Sequence, residues 1–172
     1  KRIVFVNFSG SAMGLVPESR RCEGMIQAWY PGQAGGTAVA DVLLGKYNPA
    51  GRLPVTFYRE IKQLPDFQDY SMRGRTYRYF RGNPLYHFGY GLSYTTFEIA
   101  CGDARQEGNT VKVTASVTNT GSHPGKEVVQ LYLTAPQGKL GKAAKVLTAF
   151  QKTKELLPGE SCHVTLSFRL KD

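Results

Sequence analysis

The sequence predicts an α/β segment, parallel strands with a short helix, followed by an all-β antiparallel sandwich. Three observations carry that prediction. Arg2–Phe8 and Met25–Trp29 are short continuous apolar runs, the kind expected of strands buried on both faces of a parallel sheet. Between Gly36 and Leu44 the apolar residues Ala38, Val39, Val42 and Leu43 recur at near-helical spacing. From Tyr94 onward the pattern becomes alternation: Val111, Val113, Ala115 and Val117 face one way, and Lys112, Thr114, Ser116 and Thr118 the other.

In chain order, Ser9-Gly-Ser reads as a turn after the first strand. Asn7-Phe-Ser9 spells a glycosylation sequon, but an asparagine on a buried strand is a poor acceptor. Pro17–Gly24 reads as a polar connector into the second strand. Pro31-Gly32 ends that strand, because proline has no N–H to give a ladder, and Gly35-Gly36 lets the backbone turn into the helix. Gly45 lies where a glycine closes a helix C-terminus, and Asn48-Pro49 enforces the exit. Leu53–Phe57 is then expected as a third strand, giving a βαβ rhythm. Roughly sixty residues with three strands and one helix cannot cover both faces of a parallel sheet, so an incomplete sheet is expected. Glu60–Ser93 has no clear period and many turn signals, a long irregular stretch of the kind that is functional or interfacial. In the last part, Val129, Leu131 and Leu133 alternate, as do Val164, Leu166 and Phe168. Asn119–Ser122, Pro136–Gly138 and Pro158-Gly159 mark the turns. About five strands are counted by Phe168, where a sandwich has about seven, so an open edge is expected.

Several long stretches also match a known pattern. Trp29-Tyr-Pro-Gly-Gln through Asn48-Pro-Ala-Gly-Arg-Leu-Pro-Val-Thr-Phe57 is one; Leu64-Pro-Asp-Phe-Gln-Asp-Tyr-Ser-Met72, Gly74–Phe80 and Pro84–Phe97 follow. Val117-Thr-Asn-Thr-Gly121, Gly125–Leu133 and Leu157-Pro-Gly-Glu160 extend it to nearly the whole chain. Together they closely resemble the C-terminal part of family 3 glycoside hydrolases, the β-glucosidases and β-xylosidases. The resemblance implies the end of the α/β sandwich domain at 1–69, an Arg/Tyr/Gly-rich linking loop at 70–93 and a fibronectin type III-like (immunoglobulin-like) sandwich at 94–172, truncated at its C-terminal end. Beginning at Lys1 fits a fragment. It further implies a retaining, exo-acting hydrolysis of terminal β-D-glucosyl or β-D-xylosyl residues, without a cofactor, and a periplasmic or secreted location. Such chemistry needs two carboxyl groups about 5–5.5 Å apart, one nucleophile and one acid/base. In the family the nucleophile is an aspartate of a (β/α)8 barrel and the acid/base is a glutamate on an earlier loop of the sandwich domain. Neither motif has a counterpart here. No catalytic residue is carried over, no substrate-binding residue is assigned, and the segment is expected to act as scaffold and pocket wall.

The remaining candidates have structural readings. Asp41 lies in the helix and is expected to face polar backbone or an arginine. Asp66 and Asp69, flanking Phe67, are expected to form ion pairs with Arg73, Arg75 or Arg78 rather than a catalytic pair. Glu127 and Glu160 are expected to be solvated. His87 stands where many family members have proline; with His123 and His163 it forms no ligand spacing, so no metal site is expected. Cys22, Cys101 and Cys162 are three and far apart, neither a disulfide framework nor a metal pattern, and are expected to be buried or half-buried thiols. Gly32-Gln-Ala-Gly-Gly36 lacks the phosphate-cradling motifs. The net charge of +9 raises the question of nucleic acid. However, the Arg73–Arg81 group sits among tyrosines suited to guanidinium stacking, and Lys139, Lys142 and Lys145 lie on a glycine-containing loop. Neither nucleic acid nor a membrane is expected as a partner. The ten tyrosines, most of them between Tyr30 and Tyr94, suit packing between domains better than sugar contact, although both use the same amphipathic ring. The alternative function is a free-standing carbohydrate- or protein-binding sandwich, for which Tyr132 is the one platform candidate.

Overall fold

The computed structural model describes residues 1–170. The chain forms two compact units: Lys1–Tyr47 with Leu53–Tyr90, and Asn48–Arg52 with the residues from Gly91 onward.

In the first unit, β1 (Val4–Asn7) pairs in parallel with β2 (Gly24–Gln27), Val4 opposite Gly24 and Asn7 opposite Gln27. The connection holds a helix, α1 (Val16–Arg21), where the sequence suggested only a polar connector. Its six residues are too few and too charged to show an apolar stripe. Local chemistry explains it instead: Pro17 lies in the first turn, where its missing N–H costs nothing, Glu18 lies near the positive end of the helix dipole, and Arg20 and Arg21 near the negative end. The expected burial of β1 on both faces is also corrected. Ile3, Val4 and Phe8 are 53%, 47% and 54% exposed, because the sheet of this unit has two strands. Asn7 is instead the buried residue of β1; its Nδ2 donates to Gln27 Oε1 (2.6 Å) and to Ser9 Oγ (2.9 Å). The sequon asparagine is therefore engaged.

Helix α2 (Gly35–Leu43) forms where helical spacing predicts it. It ends on Gly45, whose φ of +72° is the left-handed conformation of a terminating glycine and whose N–H reaches Val42 O. The third parallel strand does not form. Leu53–Phe57 bonds to the loop 85–90: Leu53 N–H donates to Tyr90 O, Gly89 N–H to Leu53 O, and Phe57 forms an antiparallel bridge with Tyr86. Pro54, without an N–H, prevents a continuous ladder. The irregular stretch that follows contains one 3₁₀ turn at Ile61–Gln63 and the short helix α3 (Thr76–Tyr79).

The second unit is a β-sandwich with five strands among the described residues: β3 (Phe97–Glu107), β4 (Thr110–Asn119), β5 (Val128–Leu133), β6 (Val146–Lys152) and β7 (Ser161–Arg169). One antiparallel sheet has the order β3-β4-β7, and the other pairs β5 with β6. The alternation read from the sequence is the core pattern. Val113, Ala115 and Val117 are buried, and Ala115 and Val117 belong to one core cluster with Val129, Val164, Leu166 and Leu156. A bulge between Cys101 and Ala104 interrupts the β3 edge, which makes it a poorer template for further pairing. At the end of β4, Asn119 is fully buried and its amide is fully used. Oδ1 accepts from Thr95 Oγ1 (2.7 Å) and Gly121 N–H (3.1 Å); Nδ2 donates to His123 O (2.8 Å) and Leu156 O (2.9 Å).

Candidate functional site

The aromatic residues of the first unit form a connected cluster. Phe57, 1% exposed, meets Trp29 and Tyr86 edge-on with ring centroids 6.2 and 6.4 Å apart, and Tyr86 stacks on Tyr90 at 5.1 Å. Burial, with a smaller contribution from Tyr90, raises the pKa of the Tyr86 phenol. Nearby in sequence, Tyr58 packs edge-on to Phe80 (4.9 Å), and its hydroxyl accepts from Thr76 N–H; Tyr77 stacks on Phe88 at 4.2 Å, with the Arg78 guanidinium 5.9 Å from its centroid. Most of these rings pack on one another. Trp29 and Thr76 have φ of +55° and +54°, which is costly for residues with bulky or branched side chains and is held only by such surrounding contacts. Tyr30, Phe67 and Tyr70 are the exceptions to this packing, at 83%, 90% and 90% exposed.

The carboxylates are placed differently from what their spacing suggested. Asp41 faces Lys46 at 3.8 Å, not an arginine. Asp66 and Asp69 make no ion pair among the described residues. Each folds back onto its own turn, Asp66 Oδ1 accepting from Gln68 N–H and Asp69 Oδ1 from Ser71 N–H, both at 2.8 Å. Arg75 bonds to carbonyls rather than carboxylates, donating to Asp66 O, Asp69 O and Ser71 O. The backbone N–H of Ser71 is the largest influence holding the Asp69 carboxyl below its usual range, followed by the Ser71 side chain, with Arg75 and Arg73 adding to it. Glu127 is not solvated. Its side chain is 14% exposed, it meets Arg52 Nη2 at 2.5 Å, and it accepts from Val128 N–H at 2.6 Å. Seventy-five positions separate the two residues, and no local pattern in the sequence points from one to the other. Glu160 is paired as well: it takes Lys154 Nζ at 2.5 Å and Leu157 N–H at 3.0 Å, and the bond to Lys154 leads in lowering its own pKa and raising that of the lysine.

Among the described residues, no group of three His, Cys, Asp or Glu side chains is placed to hold a metal ion. His87 and His163 are exposed, and His123 Nδ1 lies 3.1 Å from Ser122 Oγ. All three cysteines are free thiols; Cys22 and Cys162 are half-buried as expected, whereas Cys101 is exposed on the β3 edge. Gly35 packs against Pro31, 2.5 Å from where a Cβ would stand, so the glycine-containing loop before α2 is a packing turn. Tyr132 is half-buried, donates its hydroxyl to Gln130 Oε1 (2.7 Å) and carries Lys145 Nζ 5.1 Å from its ring centroid. A ring already covered on one face by a lysine is a poor sugar platform. No helix among the described residues is long and apolar enough to cross a membrane.

Residues 1–94 match the glycosyl hydrolase family 3 C-terminal domain. The chain belongs to glycosyl hydrolase family 3. Residues 127–172 match a fibronectin type III-like domain, in agreement with an α/β piece followed by a β-sandwich. Among family 3 relatives, a xylan 1,4-beta-xylosidase of Xylanibacter ruminicola is 53% identical across 91% of this chain and 20% of its own length. A periplasmic beta-glucosidase of Salmonella typhimurium is 40% identical across 98% of this chain and 24% of its own. The solved beta-glucosidase 3B from Thermotoga neapolitana superposes with a TM-score of 0.90 at 38% identity, across 98% of this chain and 26% of that one. The family 3 chain described here thus spans 20–24% of the length of these two curated relatives.

Proposed function

We propose that this chain is the C-terminal segment of a retaining, exo-acting β-glycosidase that hydrolyses terminal β-D-glucosyl or β-D-xylosyl residues. In this reading the segment is scaffold and pocket wall, and the two catalytic carboxyl groups lie outside it, one of them on a (β/α)8 barrel. Residues 1–69 end the α/β sandwich domain, 70–93 link it onward, and 94–172 are the fibronectin type III-like domain. The observation that carries the proposal is the match to family 3 enzymes along nearly the entire chain, in sequence and in backbone. The state of the carboxylates supports it. Asp41, Glu127 and Glu160 are held by cations, and Asp66 and Asp69 accept hydrogen bonds from their own turns, whereas retaining hydrolysis needs two carboxyl groups poised across a sugar.

The test is hydrolysis of p-nitrophenyl β-glucoside and β-xyloside by these 172 residues and by a protein extended in both directions to complete domains. Turnover by the extended protein alone is expected. Turnover by the shorter chain would overturn the proposal and make Asp41, Asp66 and Asp69 candidate catalytic groups.

A further inference from the structure

The second unit includes five residues that sequence order would assign elsewhere. Asn48–Arg52 follows α2, yet it is seated among the residues around Gly91–Thr95 and Pro124–Val128. Asn48 bonds through both ends of its amide: Oδ1 accepts from Ser93 Oγ and Tyr94 N–H, and Nδ2 donates to Pro124 O, each at 2.9 Å. Ala50 is 2% exposed. Arg52 ends the segment, with its guanidinium on Glu127 and its side chain only 12% exposed.

The receiving surface is shaped for close approach. A Cβ on Gly91 would collide with the Gly51 carbonyl oxygen, and one on Gly125 would stand 2.7 Å from Asn48 Nδ2. Glycine at both positions lets backbone and amide come nearer than a side chain would allow. Glu127 is also prepared locally, since Val128 N–H donates to the same Oε1 that takes Arg52. Shape, a buried small residue and a shielded charge pair thus converge on one short peptide.

We propose that the β-sandwich carries a docking notch for an Asn-Pro-Ala-Gly-Arg peptide, and that Asn48–Arg52 of this chain is its resident occupant. The sandwich is then completed by a segment lying about 45 residues before its own first strand, which begins at Phe97. Without that segment, Tyr94 N–H and Pro124 O lose their side-chain partner and Glu127 is left as an uncompensated, largely buried carboxylate. The notch is independent of which sugar the parent enzyme cleaves.

Amide hydrogen exchange on the full chain tests the proposal from both sides of the notch. Asn48→Ala alters the occupant and Gly91→Ala the receptor. Each is expected to accelerate exchange at Tyr94 and Val128 by about tenfold or more, as the loss of a shielded hydrogen bond implies. The amides of β1 and β2 should keep their wild-type rates, although residue 48 lies nearer to them in sequence. The milder Glu127→Gln variant, which keeps size and an acceptor, is expected to move the same amides by a smaller factor; it supplies the readout if the other two unfold. Wild-type exchange at Tyr94 and Val128 in the folded variants, or acceleration confined to β1 and β2, would overturn the proposal.

Discussion

Replacing Asn119 with alanine is expected to destabilise the β-sandwich by about 3 kcal/mol or more. The reason is the number of groups orphaned by one truncation. The Thr95 hydroxyl, the Gly121 N–H and the His123 carbonyl all lose this amide as partner, and the buried Leu156 carbonyl keeps only the Gly125 N–H. A buried polar group left without a partner costs about 1–3 kcal/mol, and the hydroxyl of buried Thr95 is such a group. Asn119→Asp separates the two halves of the argument. The carboxylate still accepts from Thr95 and Gly121 but cannot donate to the two carbonyls, so it should be nearly as damaging as alanine. Urea denaturation of each variant checks this. A loss below about 1 kcal/mol for alanine would mean that water enters and satisfies the site.

Phe57→Ala is expected to cost about 3–5 kcal/mol in the first unit, the range for truncating a fully buried aromatic ring. The ring holds Trp29 on one side and Tyr86 on the other, and Trp29 depends on such packing to keep its positive φ. Trp29 is the sole tryptophan, so its fluorescence reports this cluster directly. The variant should show a red-shifted emission and an earlier unfolding midpoint, while Phe57→Leu, which refills most of the volume, should lose markedly less. An unshifted emission and midpoint in Phe57→Ala would contradict the packing role.

What could be read from the sequence was set by the range of the interaction concerned. The alternation through Val111–Thr118 and the helical spacing of Ala38, Val39, Val42 and Leu43 reflect backbone period and burial, and both elements formed. Gly45 was legible because a left-handed residue has a strong preference for glycine. Helix α1 was not, since its six residues are specified by Pro17 and end charges rather than an apolar stripe. The apolar run Arg2–Phe8 did identify a strand, but the layers that cover such a strand are a property of neighbours, and here Ile3, Val4 and Phe8 are largely exposed. Leu53–Phe57 had strand-like composition, but its partners came from 85–90, a choice made by tertiary structure. The carboxylates show the same division. The turns at Asp66 and Asp69 close within two residues, a pattern that competes with the ion pairs expected from charge alone. Glu127 found its partner at Arg52 across seventy-five residues, which no window of local sequence could show.

On the proposed function, this segment supports glycoside hydrolysis without supplying its nucleophile. Trapping the covalent glycosyl-enzyme intermediate locates that nucleophile. A protein extended to complete domains would be treated with a 2-deoxy-2-fluoro β-glycoside carrying a good leaving group, digested, and its labelled peptide sequenced by mass spectrometry. A single labelled aspartate outside these 172 residues is expected. A label on Asp41, Asp66, Asp69 or any other carboxylate of the segment would contradict it and turn the scaffold into an active site.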